Sequence, residues 1–200
     1  MNADSSVLVH YLQPIQRLLE PADVTELVIN RPGEVGVEGP GGWRWHELPD
    51  LTPAWLATLA NAAAAFTRQD VNAEMPICST VLPQGERCQI VLPPAVPADS
   101  VSITIRKPSS VTFGMADFTR AGLFEAATDE LDETEDELLR LRDARAWPAF
   151  FELAVRARKN ILISGATGSG KTTFSKGLIQ LIPDQERLLT IEDTRELTVP

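Results

Sequence analysis

Apolar positions recur at helical spacing near the start of the chain: Val7, Leu8, Tyr11, Leu12, Ile15, Leu18 and Leu19. This spacing predicts an amphipathic helix. Pro14 falls inside it and predicts a kink or a restart, because proline has no N–H to donate and crowds the preceding turn. The pattern then changes to short runs divided by turn residues. Val24–Asn30, Glu34–Glu38 and Trp43–Leu48 are separated by Pro32-Gly33 and by Gly39, Pro40, Gly41 and Gly42, which predicts an antiparallel meander. Thr52 and Pro53 open a second helix, as N-cap and first-turn proline, through the Ala-rich stretch Ala54–Arg68. Three further strand-like runs follow, Ile77–Leu82, Arg87–Leu92 and Val101–Arg106. Pro83, Gln84 and Gly85 mark the first turn between them, and Pro93, Pro94 and Pro97 the second. Residues 1–107 therefore predict an α+β domain built on a mostly antiparallel sheet.

Beyond this the character shifts. Lys107–Thr119 is a connector with proline and serine, and Glu125–Asp143 is strongly acidic. It suits a solvated helix or a flexible linker, and residues 108–146 are assigned as an acidic linker. Its many irregularly spaced carboxylates single out no metal cluster. After Pro148, the residues Phe150, Phe151, Leu153, Ala154 and Ala157 predict an amphipathic helix ending in Arg156, Arg158 and Lys159. Ile161–Ile163 is a short, fully apolar run expected of a buried parallel strand. A Gly-rich turn leads into a helix, Lys171–Leu181, stopped at Pro183-Asp184, and Leu188–Ile191 is a second apolar run. Residues 147–200 thus predict a β-loop-α-β unit, the start of an α/β domain.

Composition narrows the function classes. The chain has 200 residues and a net charge of -10. An acidic chain repels a phosphate backbone, so nucleic acid is not an expected partner. Cys78 and Cys88 match no zinc spacing and predict two free thiols in or near a core. Trp43, Trp45 and His46 predict sheet packing and rim, and His10 a helix surface. Met1–Val9 lacks the basic and apolar regions of a signal peptide, and no stretch reaches the roughly 18 apolar residues of a membrane span. A cytoplasmic chain, at most peripheral on a membrane, is expected.

One segment carries explicit chemistry. Gly165, Ala166, Thr167, Gly168, Ser169, Gly170, Lys171 and Thr172, followed by Thr173, fit G-x-x-x-x-G-K-[ST] at every defined position. Small residues let successive backbone N–H groups curl round an anion, and the following helix points its N-terminus at the same charge. Lys171 is expected to reach the β- and γ-phosphates of a bound nucleotide, and Thr172 to supply a hydroxyl to Mg²⁺. An apolar run before and a helix after supply the context this motif requires. Glu192, Asp193 and Glu196 follow the second apolar run. Carboxylates there suit Mg²⁺ held through water, with Asp193 a candidate, or orientation of an attacking water, with Glu192 a candidate; a surface loop is the plain alternative.

These residues together resemble a known family. Ala157–Thr173 and Ile191–Glu196 resemble the hexameric traffic ATPases of bacterial type IV secretion systems, related to type II secretion and pilus-retraction motors. The second segment is similar to that family's acidic box. Pro76–Pro94 and Ser102–Lys107 resemble its two arginine segments, and Val24–Gly36 fits the start of its N-terminal domain. The resemblance implies an N-terminal domain joined to a RecA-like P-loop ATPase domain, with ATP between the two and Mg²⁺ as cofactor. It implies that Arg87 and Arg106 approach the terminal phosphates, a task to which a planar, permanently charged guanidinium is suited. It also implies a homo-oligomer, a hexameric ring, working with other secretion ATPases and inner-membrane channel components. The family's Walker B strand and His box lie beyond its acidic box, and this sequence ends at Pro200. A shortened product whose half-built sheet leaves apolar surface uncovered is therefore expected, inactive by itself in hydrolysis. A non-catalytic assembly module of the same machinery, and another P-loop NTPase or kinase, are the alternatives.

Overall fold

The computed structural model describes residues 3–108, 112, 114–124, 132–194 and 196–197. The chain divides into two compact units, Met1–Thr112 and Phe113–Pro200.

The first unit is a six-stranded sheet with two helices on one face. Helix α1 spans Ala3–Leu19 and runs through Pro14 without a break. The strands are β1 (Glu26–Ile29), β2 (Glu34–Gly39), β3 (Gly42–Glu47), β4 (Ile77–Val81), β5 (Arg87–Val91) and β6 (Ser102–Arg106), and helix α2 spans Pro53–Phe66. Their order across the sheet is β3-β2-β1-β6-β5-β4. Every pairing is antiparallel. The α+β domain with an antiparallel sheet predicted from sequence is the one observed.

Strand alternation decides the two faces, because successive side chains point to opposite sides. Leu27, Val35, Val37, Ile90, Ile103 and Ile105 point inward and are buried with Leu8 and Ile15 of α1 and Leu56, Leu59 and Ala63 of α2. Burying each large aliphatic side chain is worth about 1.5–3 kcal/mol, so this layer dominates the unit's stability. Thr52 caps α2 as predicted, its side-chain oxygen accepting from the Trp55 N–H at 3.2 Å. The Trp55 indole N–H donates across the helix pair to the Tyr11 carbonyl at 3.3 Å. The Tyr11 and Trp55 rings meet at 4.5 Å between centroids, and His10 joins them at 5.3 and 5.6 Å, so the three rings form a triangle. Cys78 and Cys88 are free thiols in the core. Burial first, then the nearby Cys78 and Glu86, pushes the Cys88 pKa from 9.0 up to about 12.

The opposite face is open. There Trp43 and Trp45 stack at 6.2 Å on the edge strand β3. Gly36 makes room for them: a Cβ at that position would sit 2.8 Å from the Trp45 ring and 3.0 Å from Val28.

In the second unit, helix α3 spans Met115–Arg120 within the predicted connector. Helix α4 spans Glu133–Asp143 and settles the acidic segment as helix over that range; residues 125–131 lie outside the described residues. Asp132 and Glu135 form its capping box, and the second Glu135 oxygen takes the Lys159 ammonium at 2.9 Å. The Lys159 hydrogen bond, followed by that of the Asp132 N–H, holds the Glu135 carboxyl below its ordinary pKa. Helix α5 spans Trp147–Arg156 and α6 spans Lys171–Ile179. Phe151 and Phe174 join them edge to face, at 5.0 Å between centroids.

The buried strands expected at Ile161–Ile163 and Leu188–Ile191 are not observed. Among the described residues of this unit no strand pairing occurs, and Leu162 is 94% and Leu189 72% exposed. A parallel strand is held by hydrogen bonds to neighbouring strands and by helices on both faces. No such neighbours pair with these runs among the described residues, and the runs stay exposed. Among the described residues, no helix is long and apolar enough to cross a membrane.

Candidate functional site

The loop Gly165–Gly170 owes its shape to glycine. Gly168 and Gly170 have φ of +78° and +88°, a region costly for residues with a Cβ. A Cβ at either would meet nothing within 4 Å, so the space over the loop is open. At Gly165 a Cβ would meet the Ser169 hydroxyl oxygen at 2.6 Å, because the loop folds back on itself there. The Ser169 N–H donates to the Ala166 carbonyl at 3.2 Å and closes that turn. Gly170 is the N-cap of α6 and offers no side-chain cap. Unsatisfied N–H groups at such a helix start attract an anion.

Lys171 and Thr172 open α6. The Lys171 ammonium curls over the loop and donates to the Gly165 and Ala166 carbonyls, both at 2.8 Å. The Thr172 hydroxyl donates to Glu196 Oε2 at 2.8 Å. Thr173 lies one residue further along the helix, beside the apolar groove between α5 and α6.

The acidic segment has a different internal order from the one expected. Glu192 Oε2 accepts from the Glu196 and Leu197 N–H groups at 2.8 and 2.9 Å. Asp193 Oδ1 accepts from the Thr194 N–H at 2.8 Å. Both carboxylates thus tie the turn together, and the turn presents Glu196 to the loop threonine. Arg195, inside the same segment, lies outside the described residues. Sequence reasoning singled out Glu192 and Asp193 because they follow the apolar run directly. The signal for Glu196 lay in the turn that returns the chain toward α6, which spacing alone does not reveal.

The donor set fits a nucleotide phosphate with a hard divalent cation. It offers helix N–H groups, one ammonium and a hydroxyl beside a carboxylate, and open space above glycines. Among the described residues no cluster of three His, Cys, Asp or Glu side chains forms a metal cage of its own. A hard cation here would therefore lean on the phosphates, as Mg²⁺ commonly does.

Arg87 and Arg106 stand in the first unit, directly opposite each other on β5 and β6. Their side chains are exposed on the open sheet face. They line a cleft of about 590 Å³ together with Glu26, Gln69, Gln89 and Thr104. Neither takes part in a salt bridge seen among the described residues. Two like charges directly opposite across a strand pair repel, so this pairing costs the sheet stability rather than adding to it. Gln69 donates to Thr67 Oγ1 and to the Ser79 carbonyl at 2.8 and 2.9 Å, and Ser79 donates to Gln89 at 2.5 Å. These bonds stiffen the polar floor beside the arginines.

Residues 13–200 match the family model described as "Type II/IV secretion system protein". The chain is 42% identical over 209 residues to the type IV secretion system protein VirB11 of Bartonella henselae, covering 98% of this chain and 59% of that protein. It is 40% identical over 193 residues to VirB11 of Brucella suis, covering 95% of this chain and 54% of that protein. Its fold is similar to the crystal structure of the VirB11 ATPase from the Brucella suis type IV secretion system in complex with sulphate. The TM-score is 0.89 at 39% identity, over 98% of this chain and 60% of that one. The chain therefore spans about 60% or less of the length of these relatives.

Proposed function

The chain belongs to the Type II/IV secretion system protein family, and on that premise we propose that it is the nucleotide-binding portion of an ATPase that powers type IV secretion. The observation that carries this reading is the loop over α6: two left-handed glycines, a helix start with no side-chain cap, and a lysine folded onto the loop's own carbonyls. ATP is the proposed nucleotide and Mg²⁺ the proposed cation.

In this reading the backbone N–H groups of 165–170 and the start of α6 take the phosphates. Lys171 releases the Gly165 and Ala166 carbonyls and turns its ammonium to the β- and γ-phosphates. Thr172 turns its hydroxyl from Glu196 to the cation, which supplies charge neutralisation on the phosphate oxygens when bound. Glu196, hydrogen-bonded to Thr172, would be the carboxylate available to a cation there, while Glu192 and Asp193 keep the turn in place. Arg87 and Arg106 form a second phosphate-recognising element in the first unit, where paired guanidiniums suit a phosphate's several acceptor oxygens. In the longer protein, hydrolysis drives motion between domains of a ring, proposed to be hexameric, at the cytoplasmic face of the inner membrane beside other secretion ATPases and channel components.

Calorimetric titration of the chain with Mg-ATP or Mg-ADP, beside Lys171→Ala, tests this. Lys171-dependent binding with negligible phosphate release by the chain alone is expected. Absence of nucleotide binding, in this chain and in a longer form with a full sheet, would refute the reading.

A further inference from the structure

Arg106 has two neighbours on the open face of the sheet. On one side β5 places Arg87 directly opposite it, and on the other β1 places Glu26 directly opposite it. Strand alternation puts all three side chains on the same face, and all three line the same cleft. The row reads Arg87, Arg106, Glu26 across three adjacent strands. Cross-strand neighbours stand about 4.5–5.5 Å apart at Cβ, within reach of long side chains. One carboxylate beside two guanidiniums halves the net charge that the row presents to an incoming anion.

We infer that Glu26 acts through Arg106: standing directly opposite it in the same cleft, it is the local counter-charge of the arginine pair and lowers the positive potential that the row presents to an incoming anion. This rests on the reading of Arg87 and Arg106 as phosphate-recognising. A monovalent anion gains little from a row whose net charge one nearby carboxylate has halved. A terminal phosphate bears more charge and has several acceptor oxygens, so it engages both forks at once. Glu26 thereby tunes the cleft toward polyphosphate and away from common small anions. Glu38, across from Glu26 on β2, lies one strand further from Arg106. Its carboxylate accepts from the Thr25 hydroxyl at 3.3 Å, so it serves as an internal control.

The test is arginine side-chain NMR on the ¹⁵N-labelled full chain, following the Arg87 and Arg106 Nε–H signals while sodium pyrophosphate is added at low salt. In Glu26→Gln the Arg106 signal is expected to move before any anion is added. Its half-saturation concentration should fall about 3- to 10-fold, the scale of one screened charge at this distance. Glu26→Asp, which keeps the charge, should stay within about twofold of the parent chain on the same scale. Chloride should compete better in Glu26→Gln than in the parent. Unchanged Arg106 signals and affinity in Glu26→Gln would overturn the inference, and so would an equal effect from Glu38→Gln. If pyrophosphate leaves both arginine signals of the parent chain unmoved, the phosphate-recognising role of the pair itself fails, which is a separate result.

Discussion

The Thr172 hydroxyl donates a hydrogen bond to Glu196, 2.8 Å away across 24 residues of chain. The loop threonine and the acidic turn are thus linked by one hydrogen bond, and the turn is in turn held by Glu192. Removing Glu196 separates two effects. In Glu196→Ala the nucleotide affinity without added metal should change less than about twofold, since a carboxylate donates no hydrogen bond to a phosphate. The gain in affinity on adding Mg²⁺ should shrink by about tenfold, the cost of one charge-assisted contact. Calorimetry of ADP with and without Mg²⁺ measures both.

Gly36 lies against the flat of Trp45 on the open face of the sheet. Gly36→Ala should push the half-exposed indole outward and crowd Val28. The expected cost is about 1–2 kcal/mol in urea unfolding, with a red-shifted tryptophan emission. An unshifted spectrum and unchanged stability would show that the indole does not depend on that gap.

Cys88 sets a sign for alkaline pH. Its thiol is pushed up to about 12 in the fold, whereas the unfolded thiol ionises near 9.0. The buried thiol's contribution is therefore whole below pH 9 and is lost as pH rises toward 12, because only the unfolded chain releases the proton. The slope is at most about 1.4 kcal/mol per pH unit. Cys88→Ala should flatten it, as read from chemical unfolding at pH 8, 9 and 10. Thiol reagents should label Cys88 only at the rate of unfolding.

Glu135 sets the opposite sign at acid pH. Its folded pKa is depressed by Lys159 and by the Asp132 N–H. Its contribution is present above the unfolded carboxyl value and is lost as pH falls through the lowered one. Glu135→Gln should remove that acid dependence and loosen the start of α4. Amide exchange of residues 133–136 at pH 3 and pH 6 reads it out.

Much of this architecture was legible in the chain. Period-2 runs and the turns at Gly33 and Gly85 gave the antiparallel sheet, and Thr52-Pro53 gave the start of α2, because local chemistry decides these. The resemblance drawn from Ala157–Thr173, Ile191–Glu196 and the two arginine segments agrees with the family match. The apolar run Ile161–Ile163 does not form the strand its composition suggests, since an apolar run becomes a strand only when neighbours supply its hydrogen bonds. Pro14 was expected to interrupt α1, but packing of Leu8, Ile15 and Leu19 into the core carries the helix past it. The order within the acidic turn was illegible because Glu192, Asp193 and Glu196 are chemically alike, and only the path of the backbone distinguishes them.

Proline at position 14 has no N–H for the His10 carbonyl, and one residue along the Tyr11 carbonyl accepts a hydrogen bond from the Trp55 indole of another helix. The two helices are therefore a matched set: a foreign α2 without a tryptophan at position 55 would lose the bond that ties them together, while exchanging both at once would keep it. Recombination between relatives should respect that bond, and surviving chimeras should keep positions 11–15 and 55 from one parent.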